Sequence, residues 1–419
     1  MKVRSFTTLY RQPWPKSSVL APRLDPTIPI EEEKTPNYDA DRFYPVHLGQ
    51  VLNNRYQIAT KLGYGANSTV WLARDLNRWR WSKDKYVAVK VNSSSHVSRR
   101  VPPENEVDIM NHISRVNPKH KGWHFVRKLP NSFSLNGTSE NHVCLVFDAL
   151  REPLWLYRRR YIDNVIPPDI LKILVQMILH ALDYLHTECH VIHTDLKPDN
   201  IMVKIEDPTI FDRDAKDEFD NPLPQKHLDG RTIYLSRNNY GPLAKPTGII
   251  QIVDFGLSAR TTPGQVHTGA IQGEIYRAPE VILNAGYTYS ADIWSLGVML
   301  WDLLQAKALF NPATADEPDE YDDQTHLGQI TALIGPPPKD LLPKGQRTSM
   351  FYKSNGDLKD PSRIPSNFTL EKSITCMSGE EKTRFIHFVK RMLTWSPEAR
   401  STAKDLLDDP WLYEDFAQD

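Results

Sequence analysis

His193-Thr194-Asp195-Leu196-Lys197-Pro198-Asp199-Asn200 is the stretch on which the reading of this chain turns. It packs a carboxylate, an amine and an amide into one short loop. A long apolar segment precedes it, with Ile170, Ile173, Leu174, Met177, Ile178, Ala181, Leu182 and Leu185 at helical spacing and Asp169 placed to cap the helix. Transfer of a phosphoryl group calls for such a set. A carboxylate such as Asp195 orients and deprotonates an acceptor hydroxyl, a cation such as Lys197 meets developing charge, and the amide oxygen of Asn200 can ligate magnesium.

Working outward, Asp254-Phe255-Gly256 follows an apolar strand and supplies a second hard oxygen ligand in Asp254. Magnesium favours few protein oxygens together with substrate phosphates, which two such ligands allow. Upstream lies Gly63-Tyr64-Gly65-Ala66-Asn67-Ser68, between two strands rich in β-branched and aromatic residues. Its two glycines let backbone approach phosphate closely. Taken alone it reads equally well as a tight hairpin, and Ser68 stands where a third glycine would complete the motif. One strand later Val87-Ala88-Val89-Lys90 ends on a lysine, by itself an ordinary solvated strand tip. Glu106 is its natural partner on the helix that follows, with Glu104 as the alternative.

The bulk numbers fit a chain of this kind. With 419 residues it exceeds what one hydrophobic core supports. Net charge is −1, so bulk electrostatics predict neither a nucleic-acid nor a membrane partner, although a local cluster could still matter. Cys144, Cys189 and Cys376 share no close spacing, which suggests neither a zinc site nor a disulfide framework and fits a reducing compartment. The apolar stretches are too short and too often broken to span a bilayer.

Residues 1–45 are proline-rich and read as a disordered or loosely docked extension. Strands are expected at Tyr56–Leu62, Ser68–Asp75, Tyr86–Asn92 and His142–Phe147, with Arg78–Lys85 as a longer hairpin loop. Pro102 and Pro103 open a helix running to about Val116. A β-rich first part followed by an α-rich second part implies an α+β protein of two lobes, 46–149 and 150–415, joined near Asp148–Pro153. Residues 204–247 are polar, with five prolines, and read as an insertion in the second lobe.

Over about residues 50–415 these motifs in this order resemble eukaryotic Ser/Thr protein kinases. Ala278-Pro279-Glu280, Asp292-Ile293-Trp294-Ser295-Leu296-Gly297 and Arg400 fit the same pattern. The SR-protein kinase family, in a divergent fungal-type form, is the nearest resemblance. Phe43-Tyr44-Pro45-Val46, Lys61-Leu62-Gly63-Tyr64-Gly65, Ser68-Thr69-Val70-Trp71-Leu72 and Leu182-Asp183-Tyr184-Leu185-His186-Thr187 carry it, as does the spacer after the catalytic loop. That spacer is much shorter than is usual in the family. Ile271-Gln272 and Tyr276-Arg277 fit the family's substrate-binding loop.

The resemblance implies the bilobal kinase fold, an ATP and Mg2+ requirement, and Asp195 and Lys197 as the catalytic pair. It implies ATP contacts from Leu62, Gly63, Tyr64, Gly65, Ala66, Asn67, Ser68, Thr69, Val70, Ala88, Lys90, Glu106, Phe147, Asp148 and Leu150, and metal contacts from Asn200 and Asp254. Asp292 should buttress the catalytic loop and Glu280 should pair with Arg400. Protein substrates rich in arginine and serine, linked to mRNA processing, are implied for a monomeric cytoplasmic or nuclear enzyme. The acidic residues Asp316, Glu317, Asp319, Glu320, Asp322 and Asp323 suit such peptides, or form a solvated loop. A pseudokinase scaffold and a dual-specificity kinase of splicing type are the competing readings. Thr194 stands where many kinases carry an arginine that receives an activation-loop phosphate, so activity without that phosphate is expected.

Overall fold

A computed structural model describes residues 9–94, 103–137, 141–241, 248–313 and 320–414. The chain divides into two compact units. One runs through Asn111 and adds Lys128–Arg151 and Lys204–Gly248. The other comprises His112–Arg127, Glu152–Val203 and everything from Ile249 onward.

The first unit is built on a six-stranded antiparallel sheet. Its strands are β1 (Val51–Leu52), β2 (Tyr56–Gly65), β3 (Ser68–Asp75), β4 (Tyr86–Asn92), β5 (Asn131–Asn136) and β6 (Asn141–Asp148), in the spatial order β1-β2-β3-β4-β6-β5. The cross-strand partners Val70↔Lys90, Ala88↔Phe147 and Lys90↔Leu145 fix the register. Side chains alternate along a strand, so Val70, Leu72, Ala88, Lys90, Leu145 and Phe147 share one face. The opposite face carries Trp71, Ala73, Val87, Val89, Val91, Cys144 and Val146, the core cluster of this unit. Strand β5, Asn-Ser-Phe-Ser-Leu-Asn, is too polar to have been read from sequence. It forms because β6 offers it a complete ladder.

Two expectations about chain organisation change here. Residues 9–45 do not trail loosely but pack along the first unit. Gln57 both donates to Trp14 O and accepts from Trp14 N. Glu32 is buried and forms an ion pair with Lys61, whose side chain is wholly buried at the centre of β2. Residues 204–247 are neither a structureless loop nor a part of the second unit. They form a helix, Thr209–Asp220, and a hairpin, Gln225–Leu228 with Arg231–Tyr234. The hairpin places Tyr234 in the sheet core, edge-on to Trp71 at 5.6 Å. Lys226 binds Glu33 at 2.8 Å, and Glu218 accepts from Arg237 and Thr60. Polar composition misled because these charged groups are spent on one another. The two segments together cover the sheet face that Lys61 points into.

Helix α1 (Pro103–Arg115) agrees with expectation to within a residue at its ends. In the second unit the apolar run before the catalytic loop forms α2 (Pro168–Asp183). Asp169 is not its cap: Pro168 occupies the first turn with its fixed φ, and the capping position falls to Pro167 without a side-chain bond. Helix α3 (Ser290–Leu304) is buried on nearly every side, as a central core helix is. Among the described residues no helix is long and apolar enough to cross a membrane. Gly122 lets its loop seat against α2, since a Cβ there would lie 1.8 Å from His180 O.

Lys61 Nζ also lies 3.4 Å from Glu31 Oε2, so removing Glu32 leaves the buried amine only partly compensated, at a cost of up to about 3–5 kcal/mol. Glu32→Ala is expected to lower the unfolding midpoint by that order. A combined Lys61→Met, Glu32→Leu variant should recover most of it. Denaturant titration of both variants checks this.

Candidate active site

The glycine turn joins β2 to β3 through Ala66 and Asn67. A Cβ at Gly63 would meet no protein atom within 4 Å, so the backbone here is open to an approaching group. Asn67 at the tip is gripped from the N-terminal extension. Arg42 Nη2 donates to its Oδ1 at 3.0 Å, and Ser93 N donates to its backbone oxygen at 2.9 Å. Lys90 Nζ donates to both oxygens of Glu106, at 2.8 and 3.0 Å. Val70, Ala88 and Phe147 lie on the same sheet face as this pair. Thr69 does not. It points to the opposite face, is buried, and accepts from Trp71 Nε1 at 2.9 Å. Leu62, Tyr64, Gly65, Ala66 and Ser68 lie along the same turn and its flanking strands. Asp148 is largely exposed and pairs with Lys85 at 3.3 Å, whereas Leu150 is buried.

In the second unit the catalytic loop hangs from one carboxylate. Asp292 on α3 accepts from His193 N (2.8 Å), Thr194 N (2.9 Å) and His186 Nε2 (2.9 Å). Burial alone would raise its pKa. The hydrogen bond and charge of His186 and the His193 amide outweigh burial and hold it below the usual carboxylate value. His193 donates through Nε2 to Val253 O (3.0 Å) and accepts at Nδ1 from Asp195 N (3.3 Å), which fits one neutral tautomer. It also meets buried Phe255 edge-on at 5.0 Å.

Asp195 is held from two sides. Lys197 Nζ reaches its Oδ2 at 2.8 Å, and Asn200 Nδ2 donates to its Oδ2 (3.0 Å) and backbone oxygen (2.8 Å). With the amide nitrogen of Asn200 turned to Asp195, the amide oxygen is the end left to face a cation. Asp254 is exposed and adopts φ 63°, a strained region for a residue other than glycine. A carboxylate and an amide oxygen, both hard donors, form a set suited to magnesium. The three cysteines are free thiols; burial pushes Cys144 up to about 12.

A family model for the protein kinase domain matches residues 56–412. The chain belongs to the protein kinase family. Relatives place it with the Ser/Thr and SR-protein kinases. It is 39% identical over 93% of both chains to an Aspergillus fumigatus serine/threonine protein kinase, and 32% identical over 91% of both to the serine/threonine-protein kinase SRPK of Physarum polycephalum. Human SRSF protein kinase 3 is 24% identical over 91% of this chain and 90% of its own. A solved kinase-domain crystal structure superposes with a TM-score of 0.67 at 26% identity, covering 89% of this chain and 100% of that one.

In this kinase the activation segment is bolted down by neutral groups. Thr194, at φ 69°, donates through Oγ1 to Leu257 O at 2.8 Å and accepts at its backbone oxygen from Gln272 N at 2.9 Å. Gln272, read from sequence with the substrate-binding loop, is instead a buried tie. Its Nε2 donates to Ala291 O and Ser295 Oγ, both at 2.9 Å, and its Oε1 accepts from Ala278 N at 2.9 Å. Sequence reasoning missed this role, and only the three convergent partners reveal it. Glu280 and Arg400 meet as expected, in a fully buried two-bond pair of 2.6 Å contacts.

Gln272→Ala strands the Ala278 amide, worth about 1–3 kcal/mol, and removes a bond from Ala291 O and from Ser295 Oγ, which still donates to Tyr276 O at 3.4 Å. It is expected to lower the unfolding midpoint and to open the activation segment to limited proteolysis. Gln272→Glu, which keeps the acceptor, should retain part of the protection. Proteolysis rates of the two variants measure the difference.

Proposed function

We propose that this Ser/Thr kinase transfers the γ-phosphoryl group of ATP to serines flanked by arginine in its protein substrates. The observation that carries the substrate class is a pair of carboxylates beside the catalytic loop. Asp302 on α3 accepts from Tyr276 Oη at 2.8 Å, and burial, despite that bond and the charge of Arg158, raises it to about 6. Asp199 sits in the catalytic loop itself. Crowding by protein atoms raises its pKa although its surface remains exposed, with Lys197 opposing and the charge of Asp195 adding. The charge of Asp199 adds to the raised proton affinity of Asp302, and carboxylates so placed gain from a guanidinium, which can bind them in a fork.

The acidic run is a weaker support than its composition suggests. Asp322 caps the helix Asp323–Ile334 by accepting from Thr325 N at 2.7 Å. Asp323 takes Arg347 at 2.7 Å and lies 3.7 Å from Arg277. Glu320 is exposed, while Asp316, Glu317 and Asp319 lie outside the described residues.

In this reading Asp195 receives the proton of the substrate hydroxyl and orients its oxygen, and Lys197 meets charge on the transferred group. Lys90, fixed by Glu106, takes the α- and β-phosphates, and the open backbone at Gly63 and Gly65 closes over them. Val70, Ala88, Phe147 and Leu150 offer apolar surface to adenine, with the backbone of Asp148 and Leu150 as its polar edge. Asn200 and Asp254 would hold magnesium, which supplies charge neutralisation to the phosphate oxygens when bound. The free thiols fit a cytoplasmic or nuclear enzyme.

Asp195→Asn and Lys90→Met are expected to abolish transfer to an arginine/serine peptide; near-normal labelling by purified Asp195→Asn protein would refute the base. Asp302 must be ionised to bind arginine. The kcat/KM for an arginine-flanked serine peptide should therefore fall as pH drops through about 6. An Asp302→Asn variant should lose that limb, as should a peptide with alanine for arginine. The neutral ties of Thr194 lead to one more outcome. Enzyme made in bacteria should keep its activity after phosphatase treatment, and a large loss traced to a phosphosite in 257–275 would contradict this.

A further inference from the structure

The loop between β3 and β4 reads Asn77-Arg78-Trp79-Arg80-Trp81-Ser82-Lys83-Asp84-Lys85. Large apolar side chains on a folded surface usually mark an interaction site when they cluster. Here Trp79 is 59% exposed, Trp81 72% and nearby Tyr10 46%. Nothing in the kinase chemistry above uses them.

The turn is firmly built. Ser82 N and Ser82 Oγ both donate to Trp79 O, at 2.9 and 2.8 Å, which places Trp81 at the tip. The N-terminal extension adds a short antiparallel bridge alongside. Arg80 N donates to Leu9 O at 3.1 Å and Arg11 N to Arg78 O at 3.0 Å. Tyr10 thereby props the Trp79 ring, with centroids 6.3 Å apart and planes tilted by 30°. Arg11 also reaches Ser82 O. The loop's one acid, Asp84, is already spent on Arg11 (2.9 Å) and Arg74 (2.7 Å). Arg78, Arg80 and Lys83 of the turn are all exposed.

We propose that this turn binds single-stranded nucleic acid. Rings held rigidly at the surface and interleaved with cations match what an unpaired strand offers, stackable bases joined by phosphates. A membrane fits less well. The Arg80 guanidinium lies 5.5 Å from the Trp81 ring centre, so inserting that ring into lipid would drag a charge with it. Against a base, the same guanidinium extends the stack. With two tryptophans and a tyrosine the footprint is two or three bases, and affinity depends strongly on salt. The net charge of −1 conceals this patch because it is local.

The test titrates the full-length protein with fluorescein-labelled twelve-residue oligouridine and oligothymidine. Tryptophan quenching and fluorescence anisotropy are followed at 50 and 200 mM salt. Saturable binding that weakens with salt is expected. A Trp79→Ser, Trp81→Ser double variant should lose tenfold or more in affinity, and Arg78→Glu, Arg80→Glu a similar amount. Both variants should keep the wild-type unfolding midpoint and their activity on a short peptide. Preference between the two oligomers tells RNA from DNA. No saturable binding, or equal binding by the double-tryptophan variant, overturns the proposal. So does binding to vesicles containing phosphatidylserine, or to a protein, that depends on both tryptophans while neither oligomer binds.

Discussion

The buried carboxylate of Asp292 is the constraint on which the catalytic half of this kinase depends. It stands on a helix packed on almost every side and accepts two consecutive backbone amides of the catalytic loop, together with the ring of His186. Those amides could not be left unpaired in the interior without a cost of about 1–3 kcal/mol each. The loop is therefore committed to one path. Along that path Thr194 is forced to positive φ, Asp195 emerges beside Lys197 and Asn200, and His193 locks onto Val253 just before Asp254. One buried charge thus fixes the position of the candidate base, its cationic neighbour and one of the metal-ligating candidates.

A second feature governs the nucleotide-binding half. The sheet has two buried faces that do different work. One carries Lys90 with Val70, Ala88 and Phe147. The other is closed by segments remote in sequence, through Lys61–Glu32, Lys226–Glu33 and the insertion of Tyr234 beside Trp71. Lys61 lies two residues before Gly63, so the extension and the 204–248 segment anchor the strand that leads into the glycine turn. Arg42 grips the turn at Asn67 as well. The activation segment is likewise secured by neutral hydrogen bonds from Thr194 and Gln272 rather than by a charge that must be added. Both halves are held in place by contacts internal to the chain.

Much of the site was legible in sequence because phosphoryl transfer requires particular residue types in a particular order. The loop from His193 to Asn200, the Asp254 turn and Lys90 with Glu106 could each be named before any coordinates, and the pairing of Glu280 with Arg400 was implied by the family resemblance. Strands of β-branched residues announced themselves by composition and periodicity. Strand β5 did not, since its polar alternation carries no strong signal until β6 stands beside it. Thr69 was among the nucleotide contacts that the resemblance implied, yet the two-residue period of a strand sends its side chain to the face opposite Val70.

What the sequence determined by itself was chemistry: which acid, amine and amide are available, and Thr194 in place of the usual arginine. What only the tertiary structure decided was where long polar segments go. Residues 9–45 and 204–241 look solvated because their prolines and charges would not form a core alone. Their charges cancel pairwise only when the two segments and β2 meet, and that is information no local window contains. The same holds for Asp199 and Asp302, ordinary acids in the sequence. Their raised proton affinity, and with it the case for an arginine-bearing substrate, exists only because folding packs protein around each of them.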